Sequence, residues 1–583
     1  FGSSAPVAHF PAQRSSMAVF LGLAALALLP WPCVADLPVH CLRHQIVGEW
    51  EFTLGPTSSR RSACGHRRPD GQHSQPPLAF LGSLGPTSRL RFSLEDPDMV
   101  SSPDGATGRW TMIYDEGFEV AVGNQVYFAF SGFALVPDGK GGETNVSHCG
   151  ATQVGWYRNT ARTEWGCYMG KKLSGSPDSA KADDVNVGGP SALRSARRLS
   201  LTGVYQDTAS PGADAETGEQ QQQRQQQQPP AQPAEMDAPP DPLAAPAGYN
   251  PWVPGSSGYD EPMQGQWQES VADALNLLQL GWRAAAYELF RGRTPRELNA
   301  FAGTRRHRPR RDQDQPSAAS AAQFSSFLGL GSHTRHSSGQ GSFDWRDVRG
   351  QNWLQPVMTQ GDCGSCYTIS TIHMLTARNR ISHRDHTRPA FSMSFPLYCS
   401  EYNQGCDGGY GFLQSKWSED IGLVPEACAP FSQGGGACHL APGCDLGEKR
   451  YRATRHHYVG GFYGGSTEEQ IRQELVNRGP VVMSFEPKED FMYYKDGIYR
   501  SGPNRIHQEW EQVDHAVLLV GYGGKAGQAF WAMQNSWGAD WGEGGYFRMA
   551  RGIDESGCES IVVAADVVEE GSNEVLDEFI ASI

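Results

Sequence analysis

Alternating apolar and polar positions predict antiparallel β-structure in the N-terminal part of the chain. The pattern predicts three strands, Arg109 to Tyr114, Phe118 to Val122 and Gln125 to Phe130. Gly123-Asn124 separates the last two strands, and a two-residue spacer with glycine is typical of a β-hairpin. By composition alone, this part is expected to form a small barrel or sandwich.

The C-terminal part combines a helical pattern with buried-strand patterns. A helix is predicted over Thr368 to Arg380. Val513 to Gly523 is a mostly apolar run that ends in glycines and predicts a buried strand, and Phe530 to Gln534 predicts another. Between the two parts, Glu269 to Ala302 has a loosely amphipathic pattern that predicts helix. A short second helix is predicted from Thr294-Pro295, in which threonine is the cap and proline the first helical residue.

Composition separates folded from unfolded parts of the 583 residues. Residues 173–264 are of low complexity, and Glu219 to Pro230 is nearly all glutamine. Such a stretch cannot bury a core and is predicted to be disordered. The formal charge of −15 gives nucleic-acid binding no electrostatic support. We therefore expect two folded parts, 36–172 and 342–583, separated by this insert and by a helical segment with a basic linker, 265–341.

The first 35 residues, 1–35, are expected to be an upstream extension followed by a signal peptide. After Met17, Ala18 to Pro30 is an apolar run, and small residues at 33 and 35 suit cleavage after Ala35. The run is shorter than the ~20 residues that a membrane span needs, so a membrane anchor is the weaker alternative. This interpretation predicts entry into the secretory pathway.

Cys366 is the first candidate catalytic residue. It precedes a predicted helix, whose dipole favours the thiolate. His515 follows 149 residues later and Asn535 another 20, which is the order and spacing of cysteine proteases, where the three residues meet only in the fold. A redox or zinc pair with Cys363 is the alternative, although no second Cys-x-x-Cys follows. His507, in a polar loop, is a weaker rival to His515.

The residues around these positions resemble the papain family of cysteine peptidases, from about Phe343 to Val567. The matching blocks are Gln360-Gly361-Asp362-Cys363-Gly364-Ser365-Cys366, Gly405-Cys406-Asp407-Gly408-Gly409, Asn535-Ser536-Trp537-Gly538 and Trp541-Gly542-Glu543-Gly544-Gly545-Tyr546. Further blocks resemble the cathepsin C branch of that family: Cys366-Tyr367, His457 to Gly465, Asp36 to Cys41, Gly48-Glu49-Trp50, Ile113 to Glu119 and Trp165-Gly166-Cys167.

The resemblance implies an α+β fold. A two-lobed papain-like catalytic domain is expected, plus an N-terminal antiparallel β-barrel, the exclusion domain, that blocks the far end of the cleft. The implied activity is that of a cysteine dipeptidyl aminopeptidase, which removes dipeptides from free N-termini of peptides and proteins through an acyl-enzyme. A papain-like endopeptidase with an unrelated N-terminal domain is one alternative, and an inactive binding protein is another.

Four residues receive catalytic roles from the resemblance. Cys366 is the expected nucleophile, paired as thiolate with the His515 imidazolium. Asn535 is expected to orient the imidazole, under the cover of Trp537. Gln360 is expected to stabilise the oxyanion together with the Cys366 backbone N–H. The intact set disfavours the inactive alternative.

Substrate and anion sites are implied in the same way. Asp36, the first residue after the signal peptide, is expected to hold the α-amine of the substrate, which is charged at neutral and acidic pH. Gly408 and Gly409 are expected to let the substrate backbone approach closely, with a plain turn as the alternative. The branch binds chloride near its second substrate subsite, and the matching positions hold an aromatic pair in swapped order and a tyrosine: Tyr410, Phe412 and Tyr458.

The cysteines suit an oxidising compartment, because an even number lies in each part once Cys33, Cys366 and Cys558 are set aside. The resemblance implies five pairs: Cys41 with Cys149, Cys64 with Cys167, Cys363 with Cys406, Cys399 with Cys438, and Cys428 with Cys444. Asn145 begins a glycosylation sequon. The resemblance also implies a zymogen cut by a processing protease, a homotetramer, and a lysosome-like or secreted location. Apart from chloride, we expect no metal or organic cofactor.

Overall fold

The structure is a computed structural model. The residues that it describes are 41–69, 77–137, 143–174, 262, 265–294, 298, 341–432, 436–442, 444, 450–488, 490–501, 515–524 and 528–570. The chain divides into two compact units, Phe1–Val34 and Ala35–Ile583, and every described residue belongs to the second. The predicted signal peptide, Asp36, His507, the basic linker and nearly all of the insert 173–264 therefore lie outside the described residues.

The N-terminal part is an antiparallel β-barrel. Its described strands are β1 (Gly48–Leu54), β2 (Ser88–Glu95), β3 (Met99–Ser101), β4 (Thr107–Ile113), β5 (Gly117–Val122), β6 (Gln125–Pro137), β7 (Glu143–Thr152), β8 (Gly155–Asn159) and β9 (Trp165–Ser174). Pairing of β1 with both β2 and β9 closes the sheet on itself. Two helices flank it, α1 (Arg43–Ile46) and α2 (Pro77–Leu84). Aromatic rings fill the interior, where Phe52 contacts the rings of Phe92, Tyr127 and Tyr168.

The predicted hairpin is confirmed. Val122 pairs with Gln125 and Phe118 pairs with Ala129, so β5 and β6 turn at Gly123-Asn124. Gly123 has a φ of +56°, which glycine adopts without the steric penalty that a side chain brings. Upstream, β4 pairs with β5 up to Ile113 and Gly117, and the turn between them carries Tyr114.

The C-terminal part has a mainly helical lobe and a β-rich lobe. Its described helices are α4 (Cys366–Ser382), α5 (Ser394–Cys399), α6 (Gly411–Asp420) and α7 (Glu468–Arg478), preceded by α3 (Gly265–Leu277). Its described strands are β10 (Trp282–Ala284), β11 (Phe343–Asp344), β12 (Arg450–Tyr458), β13 (Val481–Phe485), β14 (Tyr494–Tyr499), β15 (His515–Gly523), β16 (Phe530–Gln534), β17 (Tyr546–Ala550) and β18 (Ile561–Glu570). They form one sheet in the order β10-β14-β17-β16-β15-β13-β18-β12, with β11 on β15.

Helix α4 lies in the interior between the lobes, and every residue from Cys366 to Asn379 is buried. Two of its polar side chains bond to the backbone of the same helix: Ser370 Oγ donates to the Cys366 carbonyl at 2.8 Å and Thr371 Oγ1 to the Tyr367 carbonyl at 2.7 Å. Residues from both lobes therefore contact this helix.

The helical prediction for Glu269 to Ala302 was wrong over the described residues 278–294. The chain leaves the helix through Gln279 and Gly281, which have φ of +51° and +87°. Trp282–Ala284 then pairs with β14 as strand β10, and a short 3₁₀ turn follows at Glu288–Phe290. The apolar residues after Leu277 therefore contact the β-rich lobe from a strand and a turn, not from one face of a helix. Of the predicted second helix, Leu298 donates its N–H to the Thr294 carbonyl, and 295–297 lie outside the described residues.

Five disulfides join the described cysteines, and they are the five pairs implied by the resemblance. Two lie in the barrel, Cys41–Cys149 and Cys64–Cys167, and three in the C-terminal part, Cys363–Cys406, Cys399–Cys438 and Cys428–Cys444. Asn145 lies on β7, where it pairs with Leu135. Among the described residues, no helix is long and apolar enough to cross a membrane.

Candidate active site

Cys366 is the first residue of α4. The loop before it is fixed by the Cys363–Cys406 disulfide and by the Gly364 N–H, which donates to the Cys406 carbonyl at 2.8 Å. The position at the helix start exposes the thiol to backbone N–H groups that have no intrahelical partner, and these favour a negative sulfur. The side chain is fully buried, and the Ala516 N–H points at Sγ from 3.4 Å.

His515 begins β15, immediately before that alanine. Its Nε2 lies 2.8 Å from Asn535 Oδ1, an oxygen that can only accept, so Nε2 carries the proton. Asn535 Oδ1 also accepts from the Ser536 N–H at 2.8 Å, which fixes the amide. The indole of Trp537 stacks on the imidazole with ring centroids 5.0 Å apart. The structure thus brings Cys366, His515 and Asn535 into one buried cluster.

The other imidazole nitrogen, His515 Nδ1, makes no hydrogen bond among the described residues. Burial lowers the pKa of His515 to about 4, against the opposing effect of the bond to Asn535. The imidazole is therefore neutral above that pH in this closed state. Burial thus opposes the thiolate–imidazolium pair that the sequence predicts, because no solvent stabilises its cation.

Gln360 is held beside the nucleophile by three hydrogen bonds. Its Oε1 accepts from Ser536 Oγ at 2.6 Å, its backbone N–H donates to the Ser536 carbonyl at 2.8 Å, and its Nε2 donates to the Cys363 carbonyl at 3.1 Å. The Ser536 contact fixes which end of the amide faces the Cys363–Cys366 loop. The side chain is fully buried, so its N–H groups act in a site without bulk water.

The segment 265–294 covers one side of this cluster. Strand β10 pairs with β14, and the Tyr287 hydroxyl donates to the Tyr494 carbonyl at 2.7 Å while it accepts from the Gly542 N–H at 3.1 Å. Phe290 packs its ring edge-on against Trp537 at 5.6 Å. Arg293 forms an ion pair with Asp362, in the loop before Cys366. This segment therefore helps to bury the candidate triad.

The barrel covers another side. Tyr114, in the β4–β5 turn, is buried and stacks on Tyr410 with ring centroids 3.8 Å apart. Its hydroxyl lies 3.5 Å from Ser484 Oγ on β13. Burial, and then the nearby Cys366 and Glu116, raise the pKa of Tyr114 above its usual value. Ser484 pairs with Ala516, whose N–H points at Cys366 Sγ, so the turn of the barrel lies one residue pair away from the thiol.

Comparison with known proteins gives two family matches. The papain family cysteine protease profile matches residues 340–566, and the cathepsin C exclusion domain profile matches residues 36–172. Cathepsin C of Schistosoma mansoni is 27% identical over 94% of this chain and 98% of its own length. Cathepsin B-like CP3 of Giardia intestinalis is 33% identical over 38% of this chain and 73% of its own length.

The chain belongs to the papain family of cysteine proteases. It is a cathepsin C-like member, because it carries the exclusion domain in front of the peptidase domain. The fold class predicted from the sequence is confirmed: a papain-like domain preceded by a closed antiparallel barrel. The barrel turn beside Cys366 is therefore part of an exclusion domain.

The two glycines of the papain-family block have structural reasons to be glycine. Gly408 has φ +123° and ψ −178°, a region that only glycine enters readily. At Gly409, a Cβ atom would lie 2.4 Å from Asn403 Oδ1. The turn therefore accounts for both residues, and their contact with substrate stays a prediction.

The three residues implied for chloride meet at the start of α6. The Tyr458 hydroxyl is buried beside the Tyr114 backbone, and its ring stacks on Phe412 with ring centroids 4.5 Å apart. Tyr410 is engaged elsewhere: its N–H donates to Asn403 Oδ1 at 2.9 Å and its hydroxyl to Glu116 Oε1 at 2.8 Å. One buried hydroxyl donor and the first amides of α6 fit a small anion. Phe412 contributes no hydroxyl, as the swapped order of the aromatic pair implies, and chloride binding stays a prediction.

Sequence reasoning missed a buried charge cluster between the exclusion and peptidase domains. His456 Nδ1 lies 2.8 Å from Glu419 Oε2, and His456 Nε2 lies 3.1 Å from Glu119 Oε1. Lys416 Nζ lies 2.7 Å from Glu119 Oε2, and Arg158 bridges Glu419 and Asp420 at 2.7 and 2.8 Å. Glu119 and Arg158 belong to the barrel, so the cluster ties the domains together.

The cluster shifts the pKa of His456 and the pKa of Glu119 in opposite directions. Burial alone would lower the pKa of His456, but Glu119 and Glu419 raise it to about 9. Burial alone would raise the pKa of Glu119, but Lys416 and His456 lower it to about 2. Cations and carboxylates therefore stay charged together across the acidic and neutral range. Glu119 is the last residue of the block Ile113 to Glu119. The sequence analysis identified this block only by its resemblance to the cathepsin C branch.

Proposed function

We propose that this protein is a dipeptidyl aminopeptidase that removes dipeptides from free N-termini. The observation that carries the proposal is the barrel turn at Tyr114, which stacks on Tyr410 and reaches Ser484, the strand partner of the Ala516 that contacts Cys366 Sγ. A wall this close to the nucleophile leaves room for only a short stretch of substrate on that side. An endopeptidase needs the same space open.

The proposed reaction is acyl transfer through a thioester. The Cys366 sulfur attacks the substrate carbonyl carbon while its proton passes to His515 Nδ1, the nitrogen that makes no other hydrogen bond. Gln360 Nε2 and the Cys366 N–H stabilise the resulting oxyanion. His515 Nδ1–H then protonates the leaving amine as the C–N bond breaks. Water hydrolyses the thioester, which releases the dipeptide and restores the thiol.

Asp36 is proposed to bind the α-amine of the substrate. The peptide bond after the second substrate residue would then lie at Cys366. It lies outside the described residues, and the support for its role is that the exclusion-domain match begins at residue 36. A carboxylate held by the exclusion domain would pair with the charged α-amine of the substrate. Peptides with a blocked amine would lose this ion pair.

Further proposals concern maturation, location and chloride. The segment 265–294 is proposed to be an inhibitory propeptide, because Phe290 packs on Trp537 and Arg293 pairs with Asp362 beside the nucleophile.

Five disulfides support folding in the secretory pathway, on the way to an acidic vesicle or secretion. Chloride is proposed to bind at Tyr458 and the start of α6. A homotetramer is proposed from the cathepsin C resemblance alone, and N-glycosylation at Asn145 from its sequon alone.

The experiment compares two fluorogenic substrates on proteolytically activated enzyme. One is a dipeptide amide with a free amine, and the other is the same compound with the amine capped. We expect cleavage of the free substrate only, and loss of that preference in Asp36→Asn, which keeps the size of the side chain but not its charge. Asp36→Glu is the matched control that keeps the charge. Equal cleavage of both substrates by the unmodified enzyme would contradict the proposal and indicate an open-cleft endopeptidase.

A further inference from the structure

Helix α4 carries a second buried histidine, His373, seven residues after Cys366. Seven residues are nearly two helical turns, so the two side chains lie on the same face of α4, about 10 Å apart along its axis. His373 is only 2% exposed. The reaction proposed above gives this imidazole no role.

The hydrogen bonds around His373 define its protonation. His373 Nδ1 lies 2.9 Å from Gln534 Oε1. The far end of the Gln534 amide fixes its orientation, because Nε2 donates to the Gln355 carbonyl at 2.8 Å and to the Tyr546 hydroxyl at 3.0 Å. A carbonyl accepts and never donates, so Oε1 must face the imidazole. His373 therefore donates from Nδ1.

Gln534 is the last residue of β16, and Asn535 follows it directly. Asn535 holds the His515 imidazole, so the His373–Gln534 bond links the helix of the nucleophile to the strand end that carries Asn535 and, through Asn535, to His515. Burial lowers the pKa of His373 to about 4, so the imidazole stays neutral above that pH.

Packing between these elements leaves a small gap of about 10 Å³. It is lined from α4 by Cys366, Ser370 and His373, and from the facing side by Ala516 of β15, Gln534 of β16 and the following Asn535. Where side chains do not fill the gap, a hydrogen bond across it determines how far apart the two elements lie.

We propose that His373 is a positioning residue for the Cys366–His515 pair. Through Gln534 it fixes the spacing between the start of α4 and the end of β16, and so the alignment of the His515 imidazole with the thiol. The proposal rests on the proposed function only in that Cys366 and His515 cleave peptide bonds. It does not depend on whether the enzyme removes dipeptides.

The test compares His373→Leu with His373→Asn in the full chain after proteolytic activation. Leucine removes the donor, whereas the Nδ2–H of asparagine lies close to the position of the imidazole Nδ1–H. We expect His373→Leu to lower kcat by about 10–100-fold with KM nearly unchanged, since small misalignments of reacting groups have effects of this size. His373→Asn should recover most of kcat. Thr376→Val is the control, because it removes a buried hydrogen bond, to the Phe391 N–H, from the same helix.

A double-mutant cycle with Gln534→Leu sharpens the result. If the two residues act through one bond, the double variant should be no slower than the worse single variant. A His373→Leu enzyme with normal kcat, or an asparagine variant no faster than the leucine variant, would overturn the proposal. So would a loss of kcat in Thr376→Val as large as that in His373→Leu. Cleavage of capped substrates by the unmodified enzyme would refute the proposed dipeptidyl function. It would not affect the comparison of kcat between the His373 variants and the unmodified enzyme.

Discussion

The ring of Tyr114 stacks on the ring of Tyr410 with centroids 3.8 Å apart. The first residue belongs to a turn of the exclusion barrel, and the second directly follows the Gly408-Gly409 turn of the peptidase domain. Tyr463 adds a third ring 5.3 Å from Tyr114, and its N–H donates to Thr111 Oγ1 of β4. The wall beside Cys366 is therefore a composite of both domains.

Removal of the Tyr114 ring should widen the cleft beside Cys366, so that amine-capped peptides can enter it. In Tyr114→Ala we expect hydrolysis of amine-capped peptides to rise about tenfold relative to free dipeptide amides, a change of about 1.4 kcal/mol in relative transition-state stabilisation. The measurement is the ratio of kcat/KM for the two substrates. Tyr114→Phe is the matched control, because it keeps the stacking ring and loses only the hydroxyl. An unchanged ratio in Tyr114→Ala would show that this ring does not limit the cleft.

Gln360 should contribute to the reaction through its amide N–H. We expect Gln360→Ala to lower kcat by about 10²–10³-fold, the effect of losing one oxyanion donor. Gln360→Glu should be as slow, since it keeps the size of the side chain but presents oxygen in place of the donor. Steady-state kinetics with a free dipeptide amide measure both variants, and similar thermal unfolding temperatures exclude loss of folding. A fully active glutamate variant would exclude the oxyanion role.

The charge cluster around His456 should make domain association depend on pH. Because the folded-state pKa of His456 is raised from 6.5 to about 9, its contribution is complete below pH 6.5 and is lost as pH rises through 9. The pKa of Glu119 is lowered from 4.5 to about 2, so its contribution is complete above pH 4.5 and is lost as pH falls toward 2. The two contributions coexist between pH 4.5 and 6.5.

The check is the pH dependence of thermal unfolding in His456→Gln. We expect the difference in Tm from the unmodified protein to be largest below pH 6.5 and to shrink as pH rises past 9. His44→Gln is the control for replacement of a histidine in the barrel, because His44 is exposed. A His456→Gln difference that grew with pH would contradict the assigned direction of the shift.

Chloride should stabilise the protein through the Tyr458 hydroxyl. We expect chloride to raise Tm of the unmodified protein and to have no such effect on Tyr458→Phe, which keeps the ring that stacks on Phe412. Phe412→Tyr should strengthen the effect, because it adds a second hydroxyl next to the first. Titration of Tm with sodium chloride, against sodium sulfate at equal ionic strength, measures the response. An equal rise of Tm with chloride in Tyr458→Phe would show that the anion does not bind at this position.

Local chemistry made several elements predictable. The hairpin at Gly123-Asn124, the strand Phe530–Gln534 and the helix after Cys366 lie where the pattern indicates, because each has a boundary set by its own residues. The order of Cys366, His515 and Asn535 was enough to suggest that they meet. The family resemblance supplied what periodicity does not contain, namely the two lobes and the barrel.

Other features depend on residues far apart in the chain. Strand β10 exists because β14 offers it an edge, and no local pattern distinguishes Trp282–Ala284 from a continued helix. His456 and Glu119 are separated by 337 positions, so their pairing becomes visible only when the domains dock. His373 is similar: within its helix it is one more buried polar residue, and only the position of Gln534 gives it a function.

Each disulfide closes a loop within one domain, and none of the described pairs joins the barrel to the peptidase domain. A proteolytic cut between residues 174 and 265 would therefore produce two polypeptides held only by noncovalent contacts. Their association would then follow mass action. The proposed restriction to N-termini would become a property of the complex, and sufficient dilution would release a peptidase domain without its exclusion domain.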